Sequence, residues 1–142
     1  MKRSSLTHTG FTLLEIMLVV AIIGLLAGSA MYFMGDNLFV AQETKVKADI
    51  RGISTQLLVY QGSNGFLPTT EQGLKALVVK PTTEPIPRNW RQGFTEVPLD
   101  SWKQEYQYRE PGKHNPNGFD LFSAGKDRKP DTADDIGNWK ES

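Results

Sequence analysis

The chain has 142 residues, with 16 basic against 16 acidic side chains and no net charge, so no cationic surplus points to nucleic acid. It has no cysteine, which excludes the covalent staples usual in small exported domains and leaves a metal ion or self-association to supplement a small core. About 108 residues, 35–142, follow the most apolar stretch, enough for one small domain and not for two.

That stretch comes first. From Phe11 to Met34, 24 residues carry a single formal charge, Glu15. At about 1.5 Å of rise per residue, a helix of this length crosses the roughly 30 Å hydrocarbon core of a bilayer. Lys2 and Arg3 precede it, whereas Asp36, Glu43, Lys45 and Lys47 follow it in mixed sign. The positive excess therefore predicts a cytoplasmic N-terminus and an exported remainder. A carboxylate five residues into the run costs up to about 3 kcal/mol in lipid, so Glu15 calls for a partner.

An ordinary secretory signal would place its basic region at Lys2-Arg3, its apolar core at Leu13 to Leu26 and its cleavage site at Gly28-Ser29-Ala30. Nothing in such a signal requires a glutamate. Gly10-Phe11-Thr12-Leu13-Leu14-Glu15 instead resembles the leader of type IV pilins and type II secretion pseudopilins. The resemblance implies that a prepilin peptidase cuts between Gly10 and Phe11 on the cytoplasmic side, that Phe11 becomes N-methylated, and that Glu15 is needed for assembly. The apolar helix is then retained, and Glu15 faces a cation that exists only after cleavage, the α-amino group of a neighbouring Phe11. Loss of residues 1–10 removes Lys2 and Arg3, leaving 14 basic against 16 acidic residues and a net charge of −2.

Helical patterning continues past the apolar run. Phe39, Val46, Ile50, Ile53, Leu57 and Tyr60 fall on one face, and Gln42, Glu43, Lys45, Lys47, Asp49, Arg51 and Gln56 on the other. With only Gly35-Asp36-Asn37 as a weak breaker, one helix of about 50 residues is predicted, ending at Gly62-Ser63-Asn64-Gly65. Its first half, apolar all round, needs lipid or copies of itself as cover. Gly24 and Gly28 form a GxxxG pair, a weak signal for close helix approach.

Residues 66–98 hold five of the eight prolines. Thr69 and Gln72 have capping-box spacing, opening a short helix that buries Leu74, Leu77 and Val78 and stops near Lys80-Pro81. Trp90, Phe94 and Val97 are expected to wrap the core. Strands are predicted at Gln104–Glu110 and Gly118–Ser123, with turns at Pro111-Gly112 and Asn117-Gly118. The predicted fold class is α+β and pilin-like: a long N-terminal helix, its first half embedded in membrane, packed against a small antiparallel sheet.

Pro68-Thr69-Thr70-Glu71-Gln72-Gly73-Leu74, the segment from Asp100-Ser101-Trp102 to Tyr106-Gln107-Tyr108 with Pro111-Gly112, and Asp134-Asp135-Ile136-Gly137-Asn138-Trp139 resemble the major pseudopilins of the type II secretion system. Ser101-Trp102-Lys103-Gln104 departs from the more usual Pro-Trp-Gly-Asn, which puts the form of that turn in question. The organisation that follows is a cleaved leader at 1–10, a transmembrane and polymerisation helix at 11–34, and a periplasmic domain at 35–142 whose last loop spans 123–139. The implied function is a structural subunit of the periplasmic pseudopilus that drives folded proteins across the outer membrane. It would be an inner-membrane, single-pass protein. The implied partners are other copies of the chain, minor pseudopilins, the prepilin peptidase, the inner-membrane secretion platform and the lipid bilayer.

No Gly-x-Ser-x-Gly, P-loop or His-Glu-x-x-His motif is present, and no enzyme activity is expected. His8 is lost with the leader, and His114 reads as a solvated loop residue. The segment 123–135 holds four aspartates within nine residues, Asp127, Asp131, Asp134 and Asp135. From composition, a Ca²⁺ loop and a solvated acidic loop are equally open readings. It is not an EF-hand, because Lys129 takes the third position counted from Asp127. The resemblance implies Ca²⁺ held by Asp127, Asp134 and Asp135 with backbone carbonyls including Ala124, and leaves Asp131 as a bystander. A reading of another class is a monomeric calcium-binding domain, secreted or tethered by its N-terminal helix.

Overall fold

The computed structural model describes residues 10–139, without the side chains of 32–37. The leader residues 1–9, with Lys2, Arg3 and His8, the side chain of Asp36 and the last three residues lie outside that description. The chain divides into two compact units, 1–39 and 40–142.

In the first unit, Gly10 to Thr12 are non-helical and helix α1 (Leu13–Asn64) begins. Thr12 starts it: its carbonyl accepts the N–H groups of Glu15 (3.1 Å) and Ile16 (3.2 Å), and its Oγ1 accepts from Glu15 N–H at 3.2 Å. A threonine cap of this kind satisfies a donor that a helix start otherwise leaves unpaired. Leu13–Met31 is long and apolar enough to cross a membrane, and none of it is buried. Nothing lies within 4 Å of a Cβ placed at Gly24 or Gly28.

In the second unit, α1 buries Val46, Ile50, Ile53, Leu57 and Tyr60. The expected face is correct except at Phe39, which is 41% exposed. Phe39 lies in the other unit, so the same periodicity runs on beyond the core. The helix ends at Asn64, where the Gly65 N–H caps Gln61 O at 2.7 Å.

Thr69 and Gln72 form the expected reciprocal cap. The Gln72 N–H donates to Thr69 Oγ1 and the Thr69 N–H to Gln72 Oε1, each at 3.2 Å. A single 3-10 turn, Leu74–Leu77, follows and buries Leu74, Ala76 and Leu77. Val78, expected in the buried face, caps the turn and is only half-buried, because three residues per turn carry it off the face that 3.6 would keep. Trp90 packs on the core and donates its indole N–H to Ala76 O at 2.8 Å.

The sheet is antiparallel with order β1 (Gln107–Arg109), β2 (Asp120–Ser123), β3 (Ile136–Gly137). Tyr108 pairs with Leu121, and Ser123 with Ile136. Both predicted strands are present but shorter, and β3 was not anticipated. The strand β2 is buried at all four positions, so its polar side chains need internal partners. Ser123 Oγ donates to Asp100 Oδ2 at 2.5 Å, and Asp120 accepts the N–H groups of His114 (2.8 Å) and Asn115 (2.9 Å). Leu121, Tyr106, Tyr108, Phe119 and Ile136 close on the apolar stripe of α1. The turn before β1 closes despite its unusual sequence: Asp100 Oδ1 accepts Trp102 N–H (2.9 Å) and Gln104 N–H (2.8 Å), with Lys103 in the left-handed region at φ 63°.

Candidate functional site

Two places carry the chemistry singled out in the sequence. At the N-terminus, Gly10 and Phe11 precede the helix, so the bond between them lies in non-helical backbone, and Phe11 is exposed. Glu15 sits in the first turn of α1, where the helix dipole favours an acidic group. Its neighbours on every side, Phe11, Leu14, Ile16, Met17 and Leu18, are exposed apolar groups. A carboxylate in such a surface stays in water or meets a cation when that surface is covered.

The second place is the loop between β2 and β3. Ala124, buried directly after β2, leads into Gly125 at φ 64°. A side chain at Gly125 would collide with the carbonyl and carboxylate of Asp134, so only glycine lets the two ends of the loop meet. Asp134 Oδ2 accepts the Asp127 N–H at 3.0 Å, and Thr132 Oγ1 donates to Asp134 Oδ1 at 2.7 Å. These donors, the Asp127 N–H foremost, hold the Asp134 carboxyl below its ordinary pKa. Asp127 Oδ1 accepts the Lys129 N–H at 2.8 Å.

Asp135 differs. Its Oδ2 accepts the Asp131 N–H at 2.8 Å, while its Oδ1 is buried with no hydrogen-bond donor. Burial, with the charges of Asp131 and Asp134 adding to it, pushes its pKa up. An unpaired buried carboxylate oxygen is costly unless a proton or a cation meets it. Asp135 borders an open depression of about 310 Å³ that is also lined by His114, Asp131 and Trp139.

Asp131 is not a bystander. Arg109 on β1 grips it with two bonds of 2.9 Å, and Lys113 Nζ stands 3.5 Å from Oδ1. The Arg109 hydrogen bonds chiefly hold its carboxyl down to about 2. His114 is exposed, as expected, but its ring stacks on Trp139.

The structure thus brings Ala124-Gly125 against Asp134, and Asp127 to the same carboxylate. Among the described residues, no three His, Asp or Glu side chains converge on a single point. The oxygens present are of the hard type that Ca²⁺ takes along with backbone carbonyls and water, and the Oδ1 of Asp135 is the one among them that is buried without a hydrogen-bond donor. Sequence reasoning missed Arg109, which gave no local signal because its partner lies 22 residues away.

Residues 34–139 match the family described as type II secretion system protein G, and residues 7–31 match the prokaryotic N-terminal methylation motif. The type II secretion system core protein G of Dickeya chrysanthemi is 48% identical over 132 residues, covering 92% of this chain and 85% of that one. The protein of the same name from Pseudomonas aeruginosa is 44% identical over 137 residues, covering 93% and 95%. The crystal structure of the major pseudopilin from the type 2 secretion system of enterohaemorrhagic Escherichia coli aligns with a TM-score of 0.67 at 44% identity, covering 73% of this chain and 87% of that chain.

Proposed function

Because the chain belongs to the type II secretion system protein G family, whose members are structural pseudopilins, we propose that it polymerises into a periplasmic pseudopilus that drives export of folded proteins. The observation that carries this reading is the helix Leu13–Met31, wholly uncovered and beginning three residues after Gly10. A monomer has no use for such a surface outside a bilayer. In a bundle of copies it packs on itself, and Glu15 meets the Phe11 amine of a neighbour.

The organisation follows: a leader of residues 1–10, a membrane and assembly helix at 11–34, and a periplasmic domain at 35–142. The prepilin peptidase cuts between Gly10 and Phe11, and methylation of Phe11 follows. Before assembly the subunit spans the inner membrane once, with its N-terminus in the cytoplasm. Minor pseudopilins and the inner-membrane secretion platform are its remaining partners. Its role is structural rather than catalytic.

We further propose that the last loop binds Ca²⁺ through Asp127, Asp134 and Asp135, with backbone carbonyls including that of Ala124. A bound ion would neutralise clustered carboxylates and tie the end of β2 to the start of β3. The vacant Oδ1 of Asp135 supports this over a merely solvated loop.

Mass spectrometry of the protein from cells carrying a prepilin peptidase tests the main reading. Its expected product starts at a methylated Phe11, and Gly10→Val, which crowds the scissile bond, leaves the precursor intact. A product starting near Ala30 would instead establish the secreted monomer.

A further inference from the structure

Asp131 and Arg109 are not among the ligands proposed above, yet they hold the loop's geometry. The guanidinium of Arg109 is fixed on the sheet, 4.9 Å over the ring of Phe122 on β2, an arrangement that favours a cation electrostatically. From there it forms the bidentate pair with Asp131, both bonds at 2.9 Å. Asp131 stands within the loop at φ 67°, so this pair anchors the loop to β1.

The consequence reaches Asp135. With its carboxylate occupied by Arg109 and Lys113, Asp131 is withdrawn from any metal shell. Its backbone N–H pins Asp135 Oδ2 at 2.8 Å, which leaves Oδ1 as the oxygen without a donor. We propose that Arg109 and Asp131 form a latch that closes the 127–135 loop without an ion and positions Asp135 to receive one. The second half rests on the calcium reading above; the first does not. An ion meeting a loop already closed pays less ordering entropy than one that must fold it, so the latch raises the loop's affinity for Ca²⁺ without contributing a ligand.

Hydrogen exchange at the amides of Asp127, Lys129, Asp131 and Asp135, in the full mature chain in detergent micelles, tests both halves. Asp131→Asn removes the charge while keeping a residue type that tolerates positive φ. In EDTA, Arg109→Gln and Asp131→Asn each speed exchange about three- to fivefold, the scale of a well-formed exposed pair. The double variant is no faster than Asp131→Asn alone, because Arg109 acts on the loop through Asp131. High salt accelerates the wild type and spares the double variant. The Ca²⁺ concentration giving half protection rises in each variant by a similar factor.

Unchanged exchange in EDTA, or additive effects of the two substitutions, would overturn the latch. If exchange in EDTA responds as stated but Ca²⁺ leaves the wild type unaltered, the latch stands and the calcium reading falls.

Discussion

The indole of Trp139 lies flat on the imidazole of His114, with ring centroids 4.0 Å apart and planes within 16°. The same indole meets Phe122 at 5.4 Å and covers Gly137 so closely that no side chain fits there. Trp139 therefore clamps the chain after β3 to both β2 and the turn at 113–118. Trp139→Ala should cost about 2 kcal/mol, below the roughly 3–5 kcal/mol for truncating a fully buried aromatic because this one is half exposed. Gly137→Ala should lose part of the same amount by displacing the ring. Urea midpoints of the two variants equal to wild type would show that the clamp carries no stability.

The tyrosines of the domain predict its response to alkali. Burial, first among the causes, raises the pKa of Tyr60, Tyr106 and Tyr108 above the ordinary 10.0, with the hydrogen bond from Tyr106 Oη to Asp49 (2.9 Å) adding to the effect at Tyr106. Above about pH 10 the unfolded chain releases protons that the folded one retains, so stability is fully present below that pH and declines as pH rises through it. A fragment beginning at Leu38 contains only these three tyrosines. Its tyrosinate absorbance should appear in one step together with unfolding. Ionisation near pH 10 with the fold intact would contradict the burial argument.

Lys103 occupies the left-handed region at φ 63°, which costs a non-glycine residue about 1–2 kcal/mol. Lys103→Gly relieves that cost but gives the unfolded chain more freedom, worth about 0.4–1 kcal/mol the other way. A net gain of about 0.5–1 kcal/mol is expected, read as a raised melting temperature. A loss would mean that the lysine side chain stabilises the turn.

Chelation tests the calcium proposal in the same fragment. EDTA lowers its melting temperature if Ca²⁺ binds the folded loop and not the unfolded chain. Asp127→Ala and Asp134→Ala should abolish the difference between EDTA and Ca²⁺. A melting curve indifferent to chelation would reduce the segment to an acidic surface.

What the sequence made legible divides along physical lines. The stripe Val46, Ile50, Ile53, Leu57, Tyr60 and the Thr69–Gln72 cap rest on local spacing, and both form as read. Phe39 fits the same spacing but lies outside the core, because periodicity reports a helix face and not what covers it. The strand β3 has two residues, too few for any pattern, and exists through its pairing with β2. In the last loop the aspartates were visible as a cluster. Their division of labour was not, since the grip of Arg109 on Asp131 arises only when β1 comes alongside, and the vacant oxygen of Asp135 only when the loop folds on itself.

The central claim, assembly through the uncovered helix with Glu15 setting its register, is tested most directly by filaments. Full chain expressed with a prepilin peptidase, sheared from cells and viewed by electron microscopy, should yield filaments, and Glu15→Leu should yield at least about tenfold fewer. The variant should insert in the membrane as well as wild type, since it removes a charge from an apolar surface, while losing the ion pair that aligns neighbours. Wild-type filament yield from Glu15→Leu would contradict the account.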